Sequence, residues 1–422
     1  MSSIAQTVSC LDGYDPDALR VDKAGEAIRA CLTPVSGTER VPVREALGRV
    51  LAQEIVPGID VPGHDNSAMD GYAVRSSDFK SNEITLKQIG TAFAGKPFSG
   101  KVGPGECVRI MTGAVMPKGA DSVVVQEVCR ADGTSIAIPP GQKTGQNVRA
   151  AGEDLKAGVP VLKAGQLLRA AEIGLIASIG IGQVEVKRRL RVAFFSTGDE
   201  LASIGTPLAP GQVYDSNRYT LHGMLARLGV EIIDMGVVRD DPALLEAAFR
   251  KAAAAADAII TTGGVSVGEA DFVKQLMAQL GEVLFWKIAM RPGRPMAFGK
   301  ITSGKSAAFL FGLPGNPVAV MVTFYQFVRD ALLFMSGITS TEIPLPSVIS
   351  SQSIRKVPGR TEYQRGIVFR EAGVWKVRVT GQQGSGVLRS MSEANCFIVL
   401  EHERGSVQAG EAVQVQLFEG LT

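Results

Sequence analysis

The chain has 422 residues, of which 45% are apolar and 20% are charged, and its formal net charge is +2. This balance is typical of globular proteins, and the length is too great for one ordinary core, so we expect about two to four domains. A nearly neutral chain lacks the basic field of most nucleic-acid-binding proteins, which argues against that class.

The N-terminal part of the chain predicts a discontinuous arrangement. Residues 16–32 have the apolar spacing of a helix. Residues 57–150 contain short alternating runs and many turns, which predict a small inserted β domain. Apolar spacing in residues 38–56 and 151–187 predicts that these segments pair across the insertion as one linking domain.

Residues 188–340, together with residues 16–37, predict an α/β domain because short apolar strands alternate with amphipathic helices. The predicted strands are 191–196, 230–238, 257–262, 282–288 and 307–313, and the predicted helices are 217–228, 242–255, 271–280 and 316–335. This alternation predicts a parallel, doubly wound sheet whose ligands bind beyond the carboxyl ends of the strands. Residues 341–422 predict a C-terminal β domain, so the expected fold is a multidomain α/β protein.

No membrane span is expected, because prolines at 314 and 317 and the Arg329-Asp330 pair interrupt the most apolar stretch, residues 307–335. The N-terminus shows no signal peptide. The five cysteines are dispersed, without a CxxC pair, which predicts reduced thiols. We therefore expect a cytoplasmic protein.

The loop at 261–268 (TTGGVSVG) lies between a predicted buried strand and a predicted helix. Glycines allow a ligand to approach the backbone, and the helix N-terminus offers unpaired N–H groups, so this loop is a candidate phosphate or oxyanion site. Its candidate residues are Gly263, Gly264, Ser266 and Gly268. The alternative is a tight strand-to-helix turn without a ligand.

Acidic residues follow the first strand of this domain, in Thr197-Gly198-Asp199-Glu200. Adjacent carboxylates at a strand end could hold Mg²⁺, which prefers oxygen ligands. The alternative is that Asp199 caps the next helix and Glu200 is solvated. Asp271, at the start of the helix after the glycine loop, has the same two interpretations.

Positive charge comes from Lys287 and from the proline-stiffened loop RPGRP at 291–295. Arginine can bind an oxyanion through two hydrogen bonds, so this loop is a candidate oxyanion site, with a solvated basic turn as the alternative. LPGNP at 313–317 is a further rigid turn between a strand and a helix. DNSAMDGYAV at 65–74 and RIMTGA at 109–114 are polar loops that turn chemistry alone could explain.

In their order and spacing, these blocks resemble the MoeA family of molybdopterin molybdenumtransferases, which includes the E domain of gephyrin. The blocks are DNSAMDGYAV (65–74), RIMTGA (109–114), GED (152–154), STGDEL (196–201), TTGGVSVGEAD (261–271), RPGRP (291–295) and LPGNP (313–317). The resemblance implies a molybdopterin-binding α/β domain in a four-domain homodimer, with an active cleft between the α/β domain of one subunit and the small β domain of the other.

The resemblance also implies a reaction in which molybdate and adenylylated molybdopterin give molybdenum cofactor and AMP, assisted by Mg²⁺. The catalytic positions would be Asp70, Thr112, Glu200, Asp257 and Asp271, of which Glu200 and Asp271 would hold the metal. The cofactor-binding positions would be Asp154, Thr197, Gly198, Gly263, Gly264, Ser266, Gly268, Arg291, Arg294, Pro314, Pro317, Arg360 and Ser385. Molybdate would bind near Arg291, Arg294, Arg360 and Ser385.

The chain departs from the family pattern at two places. Many relatives carry lysines where this chain has Arg291 and Arg294, and some carry a serine where it has Ala319. Expected partners are an adenylylating molybdopterin protein and molybdoenzyme acceptors. The alternatives to a molybdenum-inserting enzyme are a non-catalytic scaffold of the same fold and a homologue that inserts tungstate.

Overall fold

The computed structural model describes residues 3–9, 15, 17–263 and 271–419, without the side chains of residues 271–274. The chain forms two compact units. The first unit contains Met1–Glu39, Gly48–Val50 and Val186–Thr422, and the second contains Arg40–Leu47 and Leu51–Glu185. The finer division into four domains stays a prediction.

Helices and strands alternate along much of the chain. The helices are α1 (Ile4–Ser9), α2 (Val21–Cys31), α3 (Ala170–Ser178), α4 (Ser216–Arg227), α5 (Pro242–Ala255), α6 (Asp271–Leu280), α7 (Pro317–Thr323), α8 (Arg329–Met335) and α9 (Arg389–Glu393). The strands are β1 (Thr38–Pro42), β2 (Asn66–Ser67), β3 (Gly71–Val74), β4 (Ile84–Ala92), β5 (Glu106–Ile110), β6 (Ser122–Val125), β7 (Arg130–Asp132), β8 (Ser135–Ile138), β9 (Val148–Arg149), β10 (Gln183–Lys187), β11 (Arg191–Thr197), β12 (Leu201–Ala202), β13 (Val213–Tyr214), β14 (Glu231–Val238), β15 (Ala258–Thr262), β16 (Gly281–Lys287), β17 (Met290–Arg291), β18 (Pro295–Ser303), β19 (Ser306–Leu313), β20 (Ser347–Ser350), β21 (Thr361–Glu371), β22 (Val374–Val379), β23 (Cys396–Leu400) and β24 (Ala412–Leu417).

The central sheet of the first unit has the strand order β14-β11-β15-β19-β18-β16. The neighbours from β14 to β19 are parallel, whereas β18 is antiparallel to both β19 and β16. The prediction of a purely parallel sheet is therefore wrong at β18, which the sequence pattern did not identify as a strand. The two-residue turn Gly304-Lys305 joins β18 to β19, and so short a connection can only join antiparallel strands.

Helices cover both faces of this sheet. Each strand contributes to the core on both faces, because its successive side chains point to opposite faces. Phe194 and Ile260 lie in a core with residues of α2, α4 and α7. The adjacent residues on the same strands, Phe195 and Ile259, lie in a second core with α5 and α6. The apolar strands and amphipathic helices of the sequence thus form the layered α/β domain that was predicted.

Helices α7 and α8 continue one another through a π-helical segment, Phe324–Val328. The combined stretch Pro317–Met335 is long and apolar enough to cross a membrane, but 67% of its most apolar window is buried inside the fold. Burial of this extent is typical of a core helix, which agrees with the expectation of no membrane span.

The C-terminal strands of the first unit form a closed barrel, because β21 pairs with both β22 and β23 in the order β21-β22-β20-β24-β23. β17, at the start of the RPGRP loop at 291–295 (the arginine loop), adds to this barrel through the pairs Met290↔Thr361 and Arg291↔Glu362. This short pairing places the arginine loop beside Arg360.

The second unit contains a sheet with the strand order β6-β3-β5-β4-β8-β7. Tyr72 and Cys107 lie in the core on one face, and Ala73 and Val108 lie in the core on the other. β2 and β9 form a separate antiparallel pair. These strands lie within residues 57–150, where a small β domain was predicted, and the bounds of that domain stay a prediction.

Candidate functional site

A cavity of about 670 Å³ lies in the first unit, beyond the carboxyl ends of β11, β15 and β19. Its lining residues are Thr197, Gly198, Glu200, Asp240, Gly263, Met290, Arg291, Pro292, Gly293, Arg294, Pro295, Pro314, Gly315, Asn316, Ala319, Arg360, Gln383, Gly384 and Ser385. This is the edge at which doubly wound sheets bind ligands. Residues from four of the seven motif blocks therefore meet at one place, together with Asp240, Arg360 and residues 383–385.

The acidic part of the cavity is shaped by Gly198, whose φ of +146° is in the region that favours glycine. A Cβ at this position would lie 2.5 Å from Glu200 Oε2, so any other residue would displace the carboxylate. Asp199 accepts a hydrogen bond from the Asp240 backbone N–H at 3.4 Å, and the next element is the strand β12. The interpretation of Asp199 as a helix cap is therefore wrong, because Asp215 caps the next helix, α4.

Asp240 is a lining residue that the sequence analysis missed. It follows β14, the parallel neighbour of β11, so the end of β14 lies at the same edge of the sheet as Glu200. The order of the strands, which no single motif reveals, was the signal that could have identified it.

The basic part of the cavity contains Arg291, Arg294 and Arg360. Arg360 Nε donates to Glu362 Oε1 at 3.0 Å, and Arg291 Nη1 lies 4.0 Å from the same oxygen. Glu362 is thus one carboxylate shared by two guanidinium groups, which leaves a net positive charge. Lys287 was expected to add to this charge, but that prediction is wrong because Lys287 Nζ donates to Asp17 at 2.6 Å and Lys287 does not line the cavity.

The LPGNP turn at 313–317 is held at its middle residue by a hydrogen bond from a distant part of the chain. Asn217 Nδ2, on α4, donates to the Gly315 carbonyl at 2.7 Å. The Val318 N–H donates to the Ser385 carbonyl at 3.0 Å, which ties the Ser385 loop to the first turn of α7. Pro314 lines the cavity, whereas Pro317 occupies the first turn of α7 and does not. Proline suits that position because its missing N–H would have no helical partner.

Gly263 is the described part of the glycine loop that reaches the cavity. Its φ is +89°, and a Cβ there would lie 2.5 Å from the Thr197 carbonyl oxygen, so the close approach of these two strand ends requires glycine. Gly264, Ser266 and Gly268 lie outside the described residues. Asp271 begins α6, but its side chain is not among those that the structure describes. The phosphate and metal roles of these residues stay predictions.

Asp257 does not line the cavity. It precedes β15, whereas the cavity lies beyond the other end of that strand. Its carboxylate accepts two hydrogen bonds from Arg188, at 2.7 and 2.8 Å, and one from the Arg191 N–H at 2.9 Å. Burial raises the pKa of Asp257, but these bonds outweigh it and hold the pKa below its ordinary value. The geometry is that of a structural ion pair, and it does not support the catalytic role that was predicted.

Asp70 and Thr112 meet in the second unit, as two of the predicted catalytic residues. Asp70 Oδ1 accepts hydrogen bonds of 2.8 Å from both the N–H and the Oγ1 of Thr112. These bonds hold the pKa of Asp70 below its ordinary value. Asp70 directly precedes β3 and Thr112 follows β5, and these two strands pair with each other through Gly71 and Ile110. Asp154 lies in the same unit, where its N–H donates to the Val61 carbonyl at 3.0 Å.

Metal-binding side chains are sparse among the described residues. Within those ranges, no group of three or more His, Cys, Asp or Glu side chains could hold a metal ion. Cys31, Cys107, Cys129 and Cys396 are free thiols. Any cation at the cavity would therefore need water or substrate oxygens in addition to one or two carboxylates.

Three family models match successive parts of the chain. Residues 19–180 match the MoeA N-terminal region (domain I and II), residues 193–333 match a probable molybdopterin binding domain, and residues 347–418 match the MoeA C-terminal region (domain IV).

Named relatives match over most of the chain. It is 45% identical over 318 residues to the molybdopterin molybdenumtransferase of Haemophilus influenzae, a match covering 74% of this chain and 78% of the relative. It is 33% identical to gephyrin of Dictyostelium discoideum, over 74% of this chain and 48% of gephyrin. The crystal structure of the molybdopterin biosynthesis MoeA protein from Pyrococcus horikoshii superposes with a TM-score of 0.82 at 30% identity, over 95% of this chain and all of that one. The comparison confirms the predicted multidomain α/β fold.

Proposed function

The chain belongs to the MoeA family of molybdopterin molybdenumtransferases, and we propose that it inserts molybdate into adenylylated molybdopterin, giving molybdenum cofactor and AMP. The observation that carries this proposal is the cavity that combines Arg291, Arg294 and Arg360 with Glu200 at one edge of the sheet. Arginines bind a tetrahedral dianion, whereas a carboxylate beside the same ligand requires a cation or a proton between them.

The arginines and Ser385 would hold molybdate, and the glycine loop at 261–268 would hold the nucleotide-activated pterin. Arg291 and Arg294 lie on either side of Pro292 and Gly293, in a segment anchored to the barrel by β17. A guanidinium fork fixes the orientation of an oxyanion better than a lysine ammonium would. Ala319 offers no hydroxyl to the cavity, so Arg291, Arg294 and Arg360 would contribute more to molybdate binding than they would beside a serine. Much of the rate effect would then come from positioning and electrostatics.

We propose that the enzyme uses Mg²⁺ held by Glu200 and Asp271. The described cavity fits a hard cation, because Glu200 and Asp240 supply carboxylate oxygens and Mg²⁺ retains several waters. When bound, the cation would polarise the phosphoanhydride of the adenylylated pterin for cleavage. Glu200 would then keep its charge close to the phosphate without direct repulsion.

The proposal extends to assembly and location. We propose a homodimer in which Asp70, Thr112 and Asp154 of one subunit complete the cavity of the other. The adenylylating partner would deliver the activated pterin, and molybdoenzymes would accept the product. The whole sequence of steps would take place in the cytoplasm.

The proposed function is tested by supplying the purified chain with adenylylated molybdopterin and either molybdate or tungstate. We expect metal to enter the pterin with molybdate, and the pterin-bound metal is measured by elemental analysis after separation from protein. A scaffold would bind the pterin and leave it unchanged with either oxyanion. Incorporation of tungsten in clear preference to molybdenum would instead identify a tungstate-inserting homologue.

A further inference from the structure

A second cavity, of about 460 Å³, lies beside the first against the C-terminal barrel. It shares Arg291 and Arg360 with the first cavity and adds Arg355, Lys356 and Arg365. Glu362 is the acidic residue of its lining. The lining therefore contains five cationic residues and one acidic residue, which gives it an excess of positive charge.

Arg365 is the most deeply buried of these cations, with an exposure of 1%. Its Nε donates to Ser390 Oγ and its Nη2 to the Gly384 carbonyl, both at 3.1 Å. No carboxylate of the described residues forms an ion pair with it. Burial, together with repulsion from Arg291, lowers the pKa of Arg365 to about 10, so it stays charged at neutral pH. A buried charge without a counter-ion is costly, and a bound anion would offset that cost.

Lys356 repeats this pattern on another side of the same cavity. It is 4% exposed, and its Nζ donates to the carbonyls of His402, at 3.1 Å, and Arg404, at 2.6 Å. Carbonyl dipoles orient an ammonium group. Burial holds the pKa of Lys356 below its ordinary value, although the nearby carboxylates of Glu362, Glu403 and Glu401 offset part of its charge. Within the part of the chain that the structure describes, Lys356 too has no carboxylate in an ion pair.

The carboxylate of Glu362 is already occupied. It is 2% exposed and accepts hydrogen bonds from Arg360 Nε at 3.0 Å and from Gln364 Nε2 at 3.1 Å. This single carboxylate is engaged with Arg360 and also acts on Lys356, so it cannot balance Arg355 and Arg365 as well. The excess positive charge of the cavity therefore calls for an anion from solution.

We propose that this second cavity binds a tetrahedral oxyanion of charge about −2, separate from the one held by Arg294 in the first cavity. In identifying the ligand class, this inference rests on the proposed function, which supplies two such groups: free molybdate and the phosphate of AMP. Arg291 and Arg360 line both cavities, so an anion held here has a continuous lining of guanidinium groups toward the first site.

The test is equilibrium dialysis of the full chain against molybdate, and separately against AMP, at fixed ionic strength. We expect two molybdate ions per chain. Arg355→Glu, at an exposed side chain that leaves the core intact, should weaken one of the two sites about tenfold or more, because it places a negative charge in the cavity. Arg378→Glu makes the same change of charge at an exposed position of β22 outside both cavities, and should alter both affinities by less than about twofold.

Arg294→Ala distinguishes the two sites, since it should weaken only the molybdate that Arg355→Glu leaves in place. If AMP binds at the Arg355-dependent site and molybdate does not, the anion held there is the nucleotide phosphate. A single molybdate per chain that is insensitive to Arg355→Glu, with AMP binding equally unaffected, would overturn the second site. Because dialysis needs no turnover, these results stand apart from failure of the proposed reaction.

Discussion

Glu200 and its neighbours show how a backbone conformation can place a charge. The φ of +146° at Gly198 brings the Glu200 carboxylate over the chain, where a Cβ would lie 2.5 Å from Oε2. The carboxylate therefore occupies the cavity that also contains Arg291, Arg294 and Arg360. Opposite charges held apart in one cavity suit a ligand that combines an oxyanion with a cation.

Glu200→Gln tests the role of this charge, because it preserves the shape of the side chain. We expect AMP release from adenylylated molybdopterin to stop while the pterin still binds, since a neutral amide no longer attracts Mg²⁺. A solvated glutamate would behave differently, with a stability change of at most about 1–2 kcal/mol and nearly normal turnover. AMP release and melting temperature are measured on the same protein.

Glu246→Gln on α5 is the matched control for this substitution. Glu246 pairs with Arg250 at 2.8 Å and does not line the cavity, so AMP release should be unchanged. Normal AMP release by Glu200→Gln at saturating Mg²⁺ would remove Glu200 from the catalytic residues.

Arg294→Ala should raise the molybdate concentration needed for activity far more than it weakens pterin binding. The loss of one desolvated, charge-assisted contact costs about 2–5 kcal/mol, or roughly 30-fold or more in affinity. The KM for molybdate and the Kd for the pterin are measured in parallel, with the exposed Arg370→Ala as the control. If pterin binding falls and added molybdate does not restore activity, the loop is a pterin site instead.

At the scale of elements, the sequence pattern was sufficient to predict where the residues that follow apolar strands lie in the fold. Thr197, Gly263 and Pro314 each lie at or directly after the end of a strand of the sheet, so the alternation of strands and helices predicted their common edge. Their convergence is a consequence of parallel strands, whose carboxyl ends meet. No knowledge of packing was needed for this part of the cavity.

Other elements depend on pairings that the sequence does not encode locally. Gln383 and Gly384 reach the cavity because the barrel is joined to the arginine loop by β17, a two-residue strand too short to produce a period. β18 was missed because it begins at Pro295, the last residue of a loop that was interpreted only as an oxyanion site or a solvated basic turn. The family resemblance implied a catalytic role for Asp257, yet its location before β15 places it at the end of the strand opposite the cavity.

Asp257→Asn tests whether this residue is structural. We expect near-normal AMP release and a loss of stability of about 1–3 kcal/mol, because the bond to Arg188 loses its charge. Since the folded-state pKa of Asp257 is depressed, its contribution is present above the unfolded pKa and disappears as the pH falls through the folded value. The difference in melting temperature between the wild type and the variant should therefore be full at pH 7, begin to narrow only below about pH 4, and vanish below the folded-state pKa. Loss of AMP release without loss of stability would restore the catalytic interpretation.

At the scale of the whole molecule, the predicted residues fall into both compact units. Asp70 and Thr112 belong to the second unit, whereas the described cavity lies entirely in the first. A homodimer with shared sites predicts complementation between Asp70→Ala and Asp271→Ala subunits. One of the two composite sites in such a heterodimer is intact, so the purified heterodimer should have about half of the wild-type activity. Absence of any recovery, with both variants folded and dimeric, would contradict shared sites.

The central claim is that this chain couples cleavage of the adenylylated pterin to insertion of molybdate, and a single-turnover measurement tests it most directly. The chain is loaded with adenylylated molybdopterin and mixed with Mg²⁺ and increasing molybdate, and the AMP released and the molybdenum bound to pterin are counted in the same samples. We predict that the two amounts rise together, one to one, and that both depend on molybdate. AMP release that proceeds without molybdenum entering the pterin, or no release at any molybdate concentration, would contradict it.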